Sequence, residues 1–374
     1  MKVLILTVSA GEGHNSMSRS IAGCIGENAE VMTYDIYKGK SKFYTMLVNK
    51  GYFFSCKYFM PISNAFFEKQ KRRNPEKREK TVVHKMTKKA KPQVLSVLDE
   101  YKPDVVFCAH TYCAHIMSEF KKEGKTDAKV FSVVSDYDVS PFTEIGIHID
   151  YIIAPNEDFD DTLIYKGFKK EQILHLGIPV QTKFSEPLDK VEMRKKLGLD
   201  ENKFTVMMMN GGVGFGNTIK LIKNLTKANF DFQIISVCGR NEKLKKKIDK
   251  LIASNKVGKK IFNNGFVTNV DELMSASDVL IGKIGGVAIA EAFNKGLPII
   301  ASHKLPWQEY DNMVYLCERE ACDYIAKNKY AYKVLEHLAL DEGVYQTRVE
   351  NIKKIRKQNA TRDIVKAMFD SVEK

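Results

Sequence analysis

Short runs of apolar residues alternate along this chain with longer segments whose apolar residues recur at helical spacing. In the first half the apolar runs predict the strands Val3–Val8, Val31–Tyr34, Val105–Ala109, Val130–Val134 and Tyr151–Ala154. In the second half they predict Phe204–Met209, Phe232–Val237, Lys260–Phe262, Val279–Ile281 and Pro298–Ala301. The predicted helices are Ser16–Ile25, Val82–Glu100, Thr111–Lys122, Gly216–Ala228, Glu242–Ala253, Val287–Lys295 and Gln346–Val372. Strands that alternate with helices in this way indicate an α/β protein with parallel sheets covered by helices on both faces.

Both halves of the chain follow the same plan, in which a strand enters a glycine-rich turn and a helix follows. The turns are Gly11-Glu12-Gly13 and the stretch from Gly211 to Gly216. We therefore predict two Rossmann-like domains, residues 1–184 and 185–374, that face each other across a cleft. Ser185-Glu186-Pro187 breaks the pattern at the boundary. The last helix is free to pack on either domain, including back on the first.

The composition is that of a globular protein, with 374 residues and 44% hydrophobic residues. The longest run without a charged residue, Phe204–Ile219, has 16 residues and is glycine-rich, which argues against a membrane-spanning helix. The apolar stretch at the N-terminus is too short for the core of a signal peptide. Seven cysteines without a Cys-x-x-Cys pair indicate a reducing cytosol and neither a disulfide framework nor a zinc site.

All the excess positive charge lies in one stretch, Lys38–Lys91, which we call the basic segment. It carries 16 Lys and Arg against 3 Glu, an excess equal to the chain's net charge of +13. Nine aromatic residues fall within positions 43–67 of the same segment. Aromatic bulk beside basic residues suits the headgroup layer of an anionic membrane. A core helix followed by a solvated charged helix is the alternative, and nucleic-acid binding is disfavoured because no zinc spacing or RNA-binding aromatic motif accompanies the charge.

Neither of the first two glycine turns matches the dinucleotide-binding pattern. Gly11-Glu12-Gly13 lacks the third glycine, and Gly212-x-Gly214-x-Gly216 has the wrong spacing. Asp35, which lies 22 residues after Gly13, is the best candidate for a ribose contact. An NAD site therefore stays open as an alternative.

A third glycine turn, in Asp278–Ala292, is more informative. A strand ends at Ile281, Gly285 and Gly286 form the turn, and a helix follows whose first amide groups suit a pyrophosphate. Glu291, about one turn into that helix, can accept hydrogen bonds from ribose hydroxyls. The next strand leads to Gln308, Glu309 and Asn312, whose amides and carboxylate suit the hydroxyls of a sugar. In this order the groups favour a nucleotide-sugar site.

The sequence resembles the monogalactosyldiacylglycerol synthases and the bacterial processive diacylglycerol glucosyltransferases, and more distantly the N-acetylglucosaminyltransferase of lipid II synthesis. The matching stretches span nearly the whole chain in family order: Ser9–Ser16, Ser135–Tyr137, Leu176–Val180, Met209–Gly214, Val237–Asn241, Gly265–Val267, Lys283–Glu291 and Pro306–Asn312.

The resemblance implies an inverting glycosyltransferase of the two-lobed GT-B class that needs neither a cofactor nor a catalytic metal. The C-terminal lobe would bind the UDP-sugar. The residues implied for this role are Phe266 and Val267 at the uracil, Gly285 and Gly286 at the diphosphate, Glu291 at the ribose, and Gln308, Glu309 and Asn312 at the sugar, with Gly212 as a further UDP-sugar-binding residue.

The N-terminal lobe would bind the lipid acceptor and supply the catalytic base. His14 is suited to take the proton of the acceptor hydroxyl near neutral pH. Asp136, at the end of a predicted strand, either orients His14 or is itself the base. In the family this lobe also contacts the membrane, and the basic segment stands at that place. The residues expected there are Phe53, Phe54, Lys69, Lys71, Arg72 and Arg73.

The sequence thus predicts a peripheral enzyme on the cytoplasmic face of the cell membrane that moves glucose or galactose from a UDP-sugar to diacylglycerol or a glycosyl-diacylglycerol. Alternatives are transfer to another lipid acceptor, such as a polyprenyl-linked saccharide, and a non-catalytic nucleotide- or lipid-binding protein. Three positions depart from the family pattern. Ser140 replaces a histidine, Ile284 a proline and Trp307 a glycine.

Overall fold

The computed structural model describes residues 1–8, 12–38, 60–71, 82–209, 218–255, 257–302 and 307–373. Residue contacts divide the chain into two units. Unit 1 comprises Met1–Thr182 together with Lys357–Lys374, and unit 2 comprises Lys183–Arg356.

Unit 1 is built on a parallel sheet of six strands in the order β2-β1-β3-β4-β5-β6. The strands are β1 (Lys2–Thr7), β2 (Glu30–Asp35), β3 (Val105–Cys108), β4 (Lys129–Val133), β5 (Tyr151–Ile153) and β6 (Ile173–Leu174). In the centre, Val3 of β1 pairs with Val105 of β3, and both side chains are fully buried. Such continuous apolar runs form the centre of a sheet that is covered on both faces.

Unit 2 contains a second parallel sheet of six strands, in the order β12-β11-β10-β7-β8-β9. Its strands are β7 (Phe204–Met209), β8 (Phe232–Val237), β9 (Lys260–Asn264), β10 (Val279–Gly282), β11 (Ile299–Ala301) and β12 (Cys322–Tyr324). The predicted α/β class with two parallel sheets is therefore confirmed. Both sheets contain a point at which the strand order reverses, between β1 and β3 in unit 1 and between β7 and β10 in unit 2. Ligands of open α/β sheets bind at the carboxyl ends of the strands beside such points.

The helices lie between the strands. In unit 1 the first six are α1 (Glu12–Ile25), α2 (Met60–Lys71), α3 (Val82–Lys88), α4 (Lys91–Tyr101), α5 (Thr111–Lys122) and α6 (Asp160–Tyr165). In unit 2 they are α7 (Lys190–Lys196), α8 (Thr218–Leu225), α9 (Glu242–Ala253), α10 (Val270–Ser275), α11 (Gly286–Asn294), α12 (Trp307–Glu318), α13 (Ala331–Leu340) and α14 (Glu342–Ile355). The chain then returns to unit 1 with α15 (Ala360–Asp370).

Two predicted helices are each divided into two in the structure. The predicted helix Val82–Glu100 is broken between α3 and α4, because Pro92 lacks the amide hydrogen of a helix interior and fits the first turn of a new helix. The predicted helix Gln346–Val372 is broken between α14 and α15, where Arg356 has an extended backbone.

The helix α15 packs on the first helix of unit 1, and its Thr361 donates a hydrogen bond to the carbonyl of Val180 at 2.5 Å. Just before it, Lys357 lies over Gly177, which has a φ of +89°. A Cβ added at Gly177 would lie 2.6 Å from the Cβ of Lys357. Glycine is therefore required there both for its backbone conformation and for the close approach of the returning chain.

Candidate active site

Three polar side chains follow neighbouring strands of unit 1 at the carboxyl edge of the sheet. His14 lies in the first turns of α1, His110 lies two residues after β3 and caps the N-terminus of α5, and Asp136 follows β4. Because β1, β3 and β4 are adjacent in the parallel sheet, these residues converge beside its switch point. The rings of His14 and His110 are in contact, with centroids 4.5 Å apart.

The hydrogen bonding of His14 determines which ring nitrogen can take a proton. Its Nδ1 lies 2.7 Å from the carbonyl oxygen of Ala109, which can only accept, so Nδ1 carries the hydrogen and Nε2 has the lone pair. Burial lowers the pKa of His14, while this hydrogen bond and the charge of Asp136 act in the opposite direction. The neutral imidazole therefore predominates at neutral pH, as a general base requires.

His110 is a site residue that our sequence analysis missed. Its Nδ1 accepts a hydrogen bond from the backbone amide of Tyr112 at 3.0 Å, so Nε2 carries the hydrogen in the neutral ring. Burial, together with the neighbouring His14, lowers the pKa of His110 well below the usual value. Its place two residues after the buried strand β3 was a signal available in the sequence, because the carboxyl ends of parallel strands share one edge.

Asp136 is partly buried and accepts a hydrogen bond from the hydroxyl of Ser135 at 3.1 Å. Its charge raises the pKa of His14, which is the electrostatic relation expected of an orienting carboxylate. Ser140 accepts a hydrogen bond from the amide of Phe142 at 3.3 Å. Ser140 therefore stabilises the turn that follows Asp136.

In unit 2 the strand β10 and the helix α11 form the third glycine turn as predicted. Gly285 is the N-cap of α11 and Gly286 is its first residue. Among the described residues, no atom lies within 4 Å of a Cβ added at Gly285. An N-cap without a side chain leaves room for an anionic group at the positive end of the helix. Glu291 lies in the same helix and is partly buried. Gly212, in the turn after β7, lies outside the described residues.

The helix α12 supports this turn. The amide nitrogen of Asn312, which is fully buried, donates a hydrogen bond to the carbonyl of Ile284 at 3.0 Å. Glu309 is only 4% exposed and forms an ion pair with Lys283, whose Nζ lies 2.5 Å from Oε1. Gln308 is partly buried, and Trp307 is buried at the start of the helix.

Lys283 is a second residue to which the sequence analysis gave no role. It stands between β10 and the glycines, and its ammonium neutralises a carboxylate that is almost completely buried. A buried carboxylate without such a partner is strongly unfavourable. The ion pair therefore ties the beginning of α12 to the glycine turn.

Phe266 and Val267 follow the edge strand β9. Phe266 is 63% exposed, and the guanidinium carbon of Arg240 lies 5.2 Å from the centre of its ring. Arg240 follows the neighbouring strand β8, and Val267 is partly buried. An exposed aromatic ring held by a cation offers a flat surface at the carboxyl edge of this sheet.

Only part of the predicted membrane surface falls on described residues. Lys69 of α2 is exposed, whereas Lys71 forms an ion pair with Asp138 at 3.3 Å. Phe67 packs against Phe142, with ring centroids 6.2 Å apart, at the margin of a small core cluster, as the core-helix alternative expects. Phe53, Phe54, Arg72 and Arg73 lie outside the described residues. Among the helices described, none combines the length and the apolar character needed to cross a membrane.

Comparison with known families identifies both units. Residues 14–180 match the family described as monogalactosyldiacylglycerol (MGDG) synthase, and residues 205–370 match the glycosyltransferase family 28 C-terminal domain. Together the two matches span most of the chain, with an MGDG-synthase domain followed by a glycosyltransferase family 28 C-terminal domain. The resemblance stated from the sequence is thus confirmed, and the NAD-dependent alternative is set aside.

Individual relatives agree with this assignment. The chain is 28% identical over 335 residues to a processive diacylglycerol beta-glucosyltransferase of Staphylococcus saprophyticus, a match that covers 85% of this chain and 79% of the relative. It is 24% identical over 376 residues to the Staphylococcus aureus (strain JH9) protein of the same name, covering 99% and 93% of the two chains.

Solved structures show the same fold. Acinetobacter baumannii MurG aligns with a TM-score of 0.65 and 13% identity over 99% of both chains. Anabaena HepE, solved in complex with UDP-glucose, aligns with a TM-score of 0.57 and 15% identity over 99% of this glycosyltransferase and 100% of that chain. The predicted GT-B class is confirmed by these neighbours.

Proposed function

We propose that this glycosyltransferase transfers a hexose, glucose or galactose, from a UDP-sugar to diacylglycerol or a glycosyl-diacylglycerol, with inversion at the anomeric carbon. The observation that carries the proposal is the pairing of an MGDG-synthase domain with a family 28 C-terminal domain in one chain, together with relatives named diacylglycerol beta-glucosyltransferases. No cofactor takes part in the proposed reaction, because the donor brings its own leaving group.

In this proposal unit 2 binds the donor. The diphosphate lies over Gly285 and Gly286, where the amide groups of α11 and its dipole offset the negative charge. Glu291 accepts hydrogen bonds from the ribose hydroxyls. Phe266 and Val267 contact the uracil, with Gly212 in the neighbouring glycine turn.

The sugar is held by α12 in the same proposal. Gln308 and Glu309 bind its hydroxyls, and the Lys283 ion pair sets the position of the Glu309 carboxylate. The main role of Asn312 in this proposal is to stabilise the glycine turn, because its amide nitrogen donates a hydrogen bond to the carbonyl of Ile284. A sugar contact would have to come from its Oδ1.

Unit 1 supplies the chemistry. Nε2 of His14 takes the proton of the acceptor hydroxyl while the hydroxyl oxygen attacks the anomeric carbon. The bond from that carbon to the β-phosphate oxygen breaks, and UDP leaves with the electron pair. Asp136 stabilises the imidazolium that forms, which agrees with its effect on the pKa of His14. The alternative that Asp136 is the base is retained as an outcome of the tests below.

The acceptor lies in a membrane, and we propose that the basic segment brings unit 1 to an anionic surface at the cytoplasmic face. Lys69 on α2 is available to headgroups, while Lys71 would have to exchange Asp138 for lipid. Phe53, Phe54, Arg72 and Arg73 complete the proposed surface. Nucleic acid is not among the expected partners.

Purified protein incubated with vesicles that contain diacylglycerol and with a panel of UDP-sugars tests the function. We expect UDP release that depends on both substrates and a glycosyl-diacylglycerol visible on a thin-layer plate. UDP release that requires a polyprenyl-linked acceptor would replace the acceptor assignment. Donor binding without any release would identify a non-catalytic binding protein.

A further inference from the structure

A cluster of two histidines and one carboxylate lies in unit 1, apart from the residues assigned to catalysis. His84 comes from α3, and His115 and Glu119 come from α5. His115 and Glu119 are four residues apart, so they lie one above the other on the same face of the helix. One ligand atom of each residue lies within 4.8 Å of the other two. The imidazole rings of His84 and His115 have centroids 4.5 Å apart.

His115 has the hydrogen bonding of a histidine prepared to bind a metal. Its side chain is 2% exposed, and Nδ1 faces the carbonyl oxygen of Ile145 at 3.4 Å. A backbone carbonyl at Nδ1 is a common second partner of metal-binding histidines, because it fixes the hydrogen there and leaves the Nε2 lone pair for the ion. Among the described residues, Nε2 of His115 has no hydrogen-bond partner. A buried nitrogen in this state requires a physical explanation.

The spacing of the donor atoms matches that of a small metal ion. Nε2 of His84 lies 3.1 Å from Oε1 of Glu119, and Nε2 of His115 lies 3.7 Å from Oε2. Bonds of about 2.0–2.1 Å to a tetrahedral zinc place neighbouring ligand atoms roughly 3.4 Å apart. The two observed distances bracket this value.

The carboxylate of Glu119 already binds a cationic side chain. The ammonium of Lys91, at the start of α4, forms an ion pair with Oε2 of Glu119. The side chain of Lys91 is 25% exposed, so its ammonium can turn to solvent when a metal ion binds the carboxylate of Glu119. Lysine and a metal ion therefore compete for Glu119.

We propose that His84, His115 and Glu119 form a binding site for a divalent transition-metal ion of the zinc type. Two imidazoles and one carboxylate favour zinc, cobalt or iron over magnesium and calcium, which prefer oxygen ligands. The ion would join α3, which is part of the basic segment, to the sheet-covering helix α5. Its role is structural, and the assignment is independent of the proposed glycosyl transfer.

Titration of the full chain, freed of affinity tags and treated with a chelator, tests the site with Co²⁺ and Zn²⁺. We expect one ion per chain, with a visible Co²⁺ spectrum that has ligand-field bands and no sulfur charge-transfer band. His84→Ala and Glu119→Gln should weaken binding on the order of 100-fold, since they remove direct ligands. Lys91→Met should tighten binding, because it removes the competing ammonium.

His175→Ala is the matched control, since His175 also pairs with a carboxylate, Oδ1 of Asp160 at 2.6 Å, but without a second imidazole in the cluster. It should leave metal affinity unchanged. Circular dichroism and UDP affinity show that each variant is folded. The absence of saturable binding, equal affinity in wild type, His84→Ala and Glu119→Gln, or a thiolate spectrum would each overturn the assignment.

Discussion

The protonation state of His14 makes the proposed chemistry open to a quantitative test. Replacing His14 by alanine removes the proposed base but leaves the donor residues of unit 2 untouched. General-base catalysis by a positioned side chain contributes about 10²–10⁴-fold, so turnover should fall by that factor. Affinity for UDP should stay at the wild-type value, because none of the proposed UDP contacts is in unit 1.

The pH dependence carries more information than the loss of rate. Burial lowers the pKa of His14 below the ordinary value, so the neutral ring predominates at pH 7. As the pH falls through this lowered pKa the ring gains a proton and can no longer act as a base. The acidic limb of kcat/KM should therefore lie below pH 6.5. Asp136 raises the pKa of His14, so Asp136→Asn should move the limb to still lower pH.

The assay is UDP release from vesicles containing diacylglycerol between pH 5 and pH 9, with His175→Ala as a control histidine. An acidic limb above pH 6.5, or turnover of His14→Ala within a factor of about ten of wild type, would refute the role of His14. If His14→Ala keeps its activity and Asp136→Asn loses it, the two roles must be exchanged.

Three further predictions concern the donor site and the membrane. Glu291→Ala should remove an anionic partner of the ribose, worth about 1.5–3 kcal/mol, and lower UDP affinity by roughly one to two orders of magnitude in calorimetry. Lys283→Met should destabilise unit 2 by about 2–3 kcal/mol in urea unfolding, because Glu309 loses its ammonium, and the added change Glu309→Gln should restore part of that loss. Vesicle binding measured by flotation should rise with anionic lipid and fall with salt, and Lys69→Gln should weaken it, whereas binding that is indifferent to salt would contradict an electrostatic contact.

Much of the fold was readable from the sequence because each central strand is a short run of apolar residues bounded by turns. Strands such as Val3–Val8 and Phe232–Val237 are buried on both faces, which leaves an uninterrupted pattern. The glycine turn at the start of α11 was readable for a similar reason, since Gly285 and Gly286 lie between an apolar strand and a helical pattern. The two shortest edge strands, β6 and β12, were missed. β6 has only two residues and β12 contains Asp323, so neither is an apolar run that a sequence pattern could show, and both exist through pairing with β5 and β11.

The contacts that complete the candidate site were decided by tertiary structure alone. His14 and His110 are 96 residues apart in the chain and meet only because β1 and β3 are neighbours in the sheet. Lys283 and Glu309 form their ion pair because the fold places the end of β10 beside the start of α12. The sequence pattern does not show that these two residues are close in space. Likewise α15 packs on unit 1 because the chain before it lies against Gly177 and its Thr361 donates a hydrogen bond to the carbonyl of Val180. The helical pattern of α15 did not indicate on which unit it would pack. The local pattern of apolar residues determined which segments form strands and helices, while the order of strands in the sheets determined which side chains meet.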